Sequence, residues 1–180
     1  MSGIFVQMTG MSGAGKSTMT FKAADILREK GYNVEVIDGD EYREGLCKDL
    51  GFSKQDRNTN IRRLSFVGKV LSRNNVVCIM SAINPYDDIR KEVKQNNGLA
   101  KTVYVKCDID TLIGRDPKGL YAKALLPKED PNHIPNFTGI SDPFEEPDDA
   151  DLIIDTDKMS VDDSVNQLIH FVLENTGDIK

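Results

Sequence analysis

Residues 4–27 read IFVQMTGMSGAGKSTMTFKAADIL, and the fold follows from the eight residues at their centre, GMSGAGKS (Gly10 to Ser17). A glycine followed after four residues by Gly-Lys-Ser fits the phosphate-loop pattern. Glycine reaches backbone angles closed to other residues, so successive N–H groups can turn inward on one phosphate chain. The helix opening near Lys16 adds its N-terminal partial positive charge. On this reading Gly10, Met11, Ser12, Gly13, Ala14, Gly15, Lys16, Ser17 and Thr18 wrap ATP. Lys16 would reach the β- and γ-phosphates and the Ser17 hydroxyl would ligate Mg²⁺. The flanks agree. Ile4, Phe5, Val6 and Met8 form an apolar run expected as a buried strand, and Met19, Ala23, Ile26 and Leu27 recur at helical spacing.

Beyond this loop the chain keeps alternating. Gly31 suits a left-handed helix cap, and Val34, Val36 and Ile37 form a second strand ending at Asp38-Gly39-Asp40. A short helix is expected over 41–51, closed by Gly51. A longer one runs from Lys54 to Arg73 with Ile61, Leu64, Val67 and Leu71 inside. Val76 to Met80 is a continuous apolar run, the mark of a strand covered on both faces. Pro85 is expected to open a helix running to about Asn97. Val103 and Val105 mark a fourth strand, followed by a helix from Asp110 to Arg115. Leu152 to Ile154 make a last strand, and Val161, Val165, Leu168, Ile169 and Val172 a closing helix. Strands alternating with helices predict an α/β fold: a three-layer, P-loop NTPase-type parallel sheet with helices on both faces. Ligands bind such sheets at the carboxyl ends of strands, where the phosphate loop, Asp38-Asp40 and Ser81-Asn84 fall. One domain over 1–180 is expected. Residues 116–149 hold six of the seven prolines and little periodicity, which reads as a mobile lid.

Composition narrows the function classes. A formal net charge of −6 and a pI near 5.0 argue against general nucleic-acid binding. No apolar run approaches the length of a membrane span. Cys47, Cys78 and Cys107 have no metal-ligand spacing, and an odd count without a secretory signal suits a reducing cytoplasm.

A phosphate loop identifies what gives the phosphoryl group, not what takes it. Asp38 and Asp40 can be a carboxylate pair facing the loop, one taking the proton of an attacking hydroxyl and one holding a metal-bound water. They can equally be two helix-capping aspartates in a turn. Arg43, Arg57, Arg62 and Arg63 follow closely, and guanidinium groups suit phosphate or sulfate oxygens, although singly each is an ordinary surface residue. Phe52 and Phe137 admit two readings, walls for a base or plain core. Asn60 either donates to a ligand or faces solvent.

The run DGDEYREGLCKDLGFSKQDRNTNIRR (Asp38 to Arg63) resembles the substrate segment of adenylylsulfate kinases, as do RDPKGLYAKA (Arg115 to Ala124) and NFTGISDPFEEP (Asn136 to Pro147). With the phosphate loop these blocks span most of the chain in the family's order. The resemblance implies transfer of the ATP γ-phosphate to the 3′-hydroxyl of adenosine 5′-phosphosulfate in sulfate assimilation, giving 3′-phosphoadenylylsulfate and ADP. It implies that Asp38 engages the 3′-hydroxyl, supported by Asp40, and that Lys16 completes the catalytic set. Arg43, Arg57 and Asn60 would hold the phosphosulfate and ribose, with Phe52 and Phe137 flanking the substrate adenine. Arg115 would lie against the ATP adenine. Lys118, Gly119 and Leu120 would belong to the substrate-side lid, with Ile83, Asn84, Thr138, Gly139 and Ile140 also on the substrate side. A cytoplasmic homodimer is implied, with a small nucleotide as partner and no nucleic acid or membrane.

Two departures stand out. Relatives carry Ile-Ser-Pro with a serine often assigned as a phosphorylated intermediate, whereas this chain reads Ile83-Asn84-Pro85. An amide cannot take up a phosphoryl group that way, so direct in-line transfer is expected. The lid link, LLPKEDPNHIPNFTG, is long and proline-rich, with Pro135 where relatives have lysine; Lys128 and His133 each read either as a substitute or, by default, as a solvent-exposed loop residue. These keep open a kinase of another nucleotide-linked acid, such as cytidine diphosphoramidate in capsule biosynthesis. A nucleotide-binding regulator without turnover is disfavoured, because Lys16, Ser17, Asp38 and the arginines are all present.

Overall fold

The computed structural model describes residues 2–177. Its axis is β1 (Ile4–Thr9), all six residues of which are buried. Successive side chains of a strand point to opposite faces, so Val6 and Met8 enter one half of the core and Phe5 the other. β2 is Val34–Asp38, β3 Val77–Ser81, β4 Ala100–Lys106 and β5 Leu152–Asp155. The five strands form a sheet in the order β2-β3-β1-β4-β5, every pairing parallel. The expected α/β class and parallel sheet are therefore present. Among the described residues no helix is long and apolar enough to cross a membrane.

The helices divide between the two faces as the apolar periodicity requires. α1 (Lys16–Glu29) and α7 (Val161–Thr176) bury Met19, Ala23, Leu27, Leu168 and Val172 in one core half. α3 (Lys54–Ser72) and α4 (Asp87–Asn96) bury Ile61, Leu64, Ile89 and Val93 in the other. Gly68 lets α3 come down onto the sheet: a Cβ there would stand 2.3 Å from the Phe5 ring, well inside contact distance.

Three boundaries differ from expectation. α2 spans Gly39–Leu46, starting before residue 41 and ending before Gly51. The early start has a local cause, because the Asp38 carboxylate accepts from the N–H groups of Asp40 and Glu41 and caps the helix. Pro85 does not open α4, which begins two residues later; the Pro85 carbonyl instead accepts from Glu145 N–H at 2.9 Å. The stretch after α5 (Ile109–Arg115) is not featureless. It holds α6 (Leu120–Ala124) and an isolated bridge between Thr138 and Asp142.

Candidate active site

The phosphate loop leaves β1 with Gly10, whose N–H donates to Ile83 O at 3.1 Å. A Cβ on Gly10 would meet the Val105 carbonyl oxygen at 2.5 Å, and Gly13 and Gly15 have φ of 78° and 94°. These positions need glycine for room and for backbone angle. α1 then starts with no side-chain cap and no acidic residue in its first turn. The contrast with α3 and α7 is informative, since Ser53 and Ser160 accept from Asp56 N–H and Asp163 N–H there. Of these three helix starts, only that of α1 leaves its N–H groups open to an anion, which suits triphosphate oxygens.

Lys16 is buried, and its Nζ donates to the carbonyls of Gly10 at 2.7 Å and Met11 at 2.8 Å. Desolvation, reinforced by the Lys118 charge, lowers its pKa to about 8, against the opposing pull of Asp40 and Asp38. The ammonium is thus less favoured than in water until an anion arrives.

Asp38 reconciles the two readings of its sequence. Its Oδ1 accepts from Asp40 N–H at 3.0 Å, the capping role, while Oδ2 accepts from the Ser17 hydroxyl at 2.9 Å. Ser17 Oγ also lies 3.2 Å from Ser81 Oγ. The cap fixes the carboxylate's direction, and that direction faces the loop. Asp40 is exposed and pairs with Lys118 at 2.8 Å, so a carboxylate of α2 and a lysine 78 residues later meet beside the loop.

A cavity of about 1030 Å³ opens beside these groups. The arginine cluster splits there. Arg43 and Arg57 line the cavity, whereas Arg62 closes a two-bond pair with Glu92 and Arg63 with Asp49. Arg43 lies over the Phe52 ring at 4.2 Å and donates to Gly51 O. Arg57 donates to Phe52 O at 3.0 Å and Asn136 O at 2.8 Å. The phenylalanines divide the same way: Phe52 is an exposed cavity wall, while Phe137 is buried, edge-on to Tyr121 at 5.0 Å, and still borders the cavity. Asn60 is buried rather than solvent-facing, with its Oδ1 unpartnered among the described residues.

Ser12, Gly13, Gly15, Thr18, Ile83, Asn84, Lys118, Leu120 and Thr138 also border the cavity. His133 does too, whereas Lys128 is exposed and absent from the lining. Met11, Gly139 and Ile140 border a neighbouring depression of about 510 Å³ instead. Arg115 stands outside both, 3.4 Å from Thr156 O, and the Thr156 hydroxyl in turn reaches Ala14 O of the loop. Asn84 holds a left-handed φ of 46°; its Nδ2 donates to Gln7 Oε1 and its carbonyl accepts from Thr9 Oγ1 and Arg90 Nη1.

Residues outside the sequence reading complete this floor. Arg90, fully buried, joins Asn84 O at 2.7 Å to Glu145 O at 2.6 Å, and Tyr86 donates to Asp142 Oδ2 at 2.7 Å. Arg90 had a legible signal, a charge between Ile89 and Val93 on the apolar face of a helix. Gln7 had one as well, a polar residue inside an apolar strand. For Tyr86 and Asp142 no local pattern exists.

A glycine loop between a central parallel strand and an uncapped helix, with a buried lysine and a serine on it and a β2 carboxylate bonded to that serine, defines a P-loop phosphotransferase. The comparisons narrow the class. The adenylylsulphate kinase family pattern matches residues 2–155, and the chain belongs to that family. It is 47% identical over 168 residues to an adenylyl-sulfate kinase of Chloroflexus aurantiacus, covering 93% of this chain and 88% of that one. It is 45% identical over 177 residues to that of Halothermothrix orenii, covering 98% and 92%. The Mycobacterium tuberculosis APS kinase CysC, solved in complex with AMPPNP and APS, superposes with a TM-score of 0.87 at 37% identity, covering 96% of this chain and 98% of that one.

Proposed function

We propose that the protein is an adenylyl-sulfate kinase, transferring the γ-phosphate of ATP to the 3′-hydroxyl of adenosine 5′-phosphosulfate. The observation that carries this reading is one cavity bordered on one side by Lys16, Ser17 and Asp38 and on the other by Arg43, Arg57 and Phe52. One side suits a triphosphate, the other an aromatic nucleotide with an anionic tail. ATP would lie along residues 10–18 with Arg115 toward its base. Ser17, Asp38 and Ser81 offer the hard oxygen donors that Mg²⁺ prefers, and Mg²⁺ bound there would neutralise phosphate charge.

Lys16 leaves its loop carbonyls for the β- and γ-oxygens and offsets the charge spread over the transferring group. Asp38, aimed by its own helix cap, orients the 3′-hydroxyl and takes its proton, with Asp40 supporting it. Arg43, Arg57 and Asn60 hold the phosphosulfate and ribose, and Phe52 and Phe137 flank the adenine. Ile83, Asn84 and Thr138 shape the floor, with Gly139 and Ile140 behind it. Lys118, Gly119 and Leu120 close over the acceptor as part of a lid spanning about 116–149 within one domain, excluding water that would hydrolyse ATP. The enzyme works in the cytoplasm as a homodimer.

The test is a coupled ADP-release assay with adenosine 5′-phosphosulfate, cytidine diphosphoramidate and nucleoside monophosphates. Turnover specific for the phosphosulfate is expected. Preference for cytidine diphosphoramidate overturns the acceptor, and ATP binding without turnover of any acceptor overturns the enzyme. Sedimentation equilibrium should give twice the 20.0 kDa chain mass.

A further inference from the structure

Arg90 is fully buried on α4, yet no buried carboxylate matches its charge. Its ion-pair partner, Asp87 at 3.3 Å, is partly exposed and also meets Lys91 at 2.6 Å. The Arg90 Nε has no partner among the described residues. A well-packed apolar side chain often serves stability as well as a buried cation in such a setting. Stability alone therefore does not account for an arginine here.

What the guanidinium does is join two backbone segments distant in sequence. Nη1 donates to Asn84 O at 2.7 Å and Nη2 to Glu145 O at 2.6 Å. Asn84 O also accepts from Thr9 Oγ1, whereas Glu145 O has no other partner among the described residues. Glu145 reaches the same unit twice more. Its N–H donates to Pro85 O at 2.9 Å, and its Oε2 accepts from Asp87 N–H at 2.7 Å. α4 has no hydrogen bond from its own N-cap side chain, so a carboxylate 58 residues later caps it. The N–H, the carbonyl and the side chain of one residue thus all end on residues 85–90.

Glu145 terminates the stretch that supplies part of the acceptor wall. Residues 137–142 close on themselves, Asp142 N–H donating to Phe137 O and Gly139 N–H to Asp142 O. The Tyr86 hydroxyl meets Asp142 Oδ2 from the side of α4. Just before this turn, Asn136 O accepts from Arg57 Nη2 at 2.8 Å, and Phe137 and Thr138 border the cavity.

We propose that Arg90 and Glu145 are positioning residues for the acceptor wall: Arg90 holds the Glu145 carbonyl, Glu145 caps α4, and this clamp sets where Asn136 meets Arg57 and where Phe137 borders the cavity. The acceptor side of this inference rests on the proposed kinase reading. The clamp fastens the returning end of the lid to the floor that carries Asn84.

The experiment measures KM for adenosine 5′-phosphosulfate and for ATP separately in wild type, Glu145→Ala and Arg90→Met, with melting curves to establish folding. Hydrogen exchange of the nucleotide-free protein is read at the Gly139, Asp142 and Glu145 amides. Glu145→Ala removes the cap and Arg90→Met the hold on the carbonyl. Each should raise the acceptor KM about three- to tenfold, with the ATP KM within about twofold of wild type. The three amides should exchange at least about tenfold faster while those of β1 keep their rates. Arg90→Lys, with one ammonium for two carbonyls, should recover part of the loss. Should Arg90→Met fail to fold, Glu145→Ala decides, since that side chain is partly exposed. A folded Glu145→Ala with unchanged acceptor KM, or with ATP KM raised equally, overturns the proposal while leaving the kinase reading intact. Exchange quickened across the whole sheet overturns it as well, because the loss would then be general. A wild-type enzyme inactive on adenosine 5′-phosphosulfate overturns the kinase reading and the acceptor side of this one together.

Discussion

The two walls of the cavity are built in opposite ways. The wall assigned to ATP comes chiefly from one stretch within residues 12–18, between the central strand and the first helix, with Asp38 added from the end of β2. Its lysine is held by carbonyls five and six residues away in sequence. The acceptor wall is assembled from α2, the Phe52 turn, α3, the β3–α4 loop and the segment around Phe137. Its arginine is held by a carbonyl 79 residues away. The first wall keeps its loop donors on one short segment, although Ile83 O, Asp38 and Thr156 pin that segment from outside, whereas the second depends throughout on how several segments meet. Substitutions should therefore act sharply and alone on the first wall, and through neighbours on the second.

The largest effect belongs to Lys16→Ala, which should lower turnover at least about a thousandfold at saturating acceptor. Lys118, the other cation beside the loop, is exposed and paired with Asp40, so a near-normal rate would break the assignment of this wall. Asp38→Asn comes next. The amide keeps an oxygen for the helix cap but loses the charge, so kcat should fall about a hundredfold or more while ATP binding changes little. A change confined to KM would move Asp38 from chemistry to binding. Arg57→Ala crosses to the second wall. Losing a charge-assisted contact should raise the acceptor KM about tenfold to a hundredfold, read from initial rates at fixed ATP.

The same division explains what the sequence yielded. β1, the loop and α1 were legible together because strand, turn and helix signals lie within 24 residues and reinforce one another. The carboxyl-end location of Asp38 and Ser81 followed from strand order without any contact being known. The arginines were a different matter: four sat in one short section, and nothing local separated Arg43 and Arg57 from Arg62 and Arg63. The partners that separate them, Glu92 and Asp49 for one pair and Phe52 O and Asn136 O for Arg57, are set by packing. Phe52 and Phe137 show the same limit, since one ring became a wall and the other an edge of the core. Asp38 shows a subtler one, because capping and loop-facing looked like alternatives on paper and prove to use different oxygens of one carboxylate.

The first wall also makes a pH prediction. Burial lowers Lys16 to about pKa 8 in the free protein, and a triphosphate beside it favours the charged form. Nucleotide binding should therefore take up a proton between pH 8 and the higher pKa of the complex. Affinity is full below pH 8 and falls by at most about tenfold per unit as pH rises through that window. The stability of the free protein runs the other way. In the unfolded chain this lysine titrates near 10.5, so the cost of burying its charge is present below pH 8 and disappears between pH 8 and 10.5. Calorimetry of ATP binding at pH 9 in buffers of different ionisation enthalpy measures the uptake. No uptake would mean that Lys16 does not meet the phosphates.

Asn84→Ser should have the smallest effect on catalysis and sharpens the comparison from the acceptor side. Asn84 is buried and left-handed, a conformation that asparagine tolerates better than serine. Serine would also lose the bond to Gln7 Oε1, so the melting temperature should fall by several degrees. Chemistry should hold within about threefold, because the Asn84 carbonyl, which ties Thr9 and Arg90 to the floor, survives the change. Direct transfer needs no side-chain hydroxyl at this position. Intact mass spectrometry after incubation with ATP alone tests the point independently, since wild type should gain no phosphoryl group. If serine instead raised turnover tenfold, residue 84 would belong to the reacting groups, and the second wall would hold chemistry as well as grip.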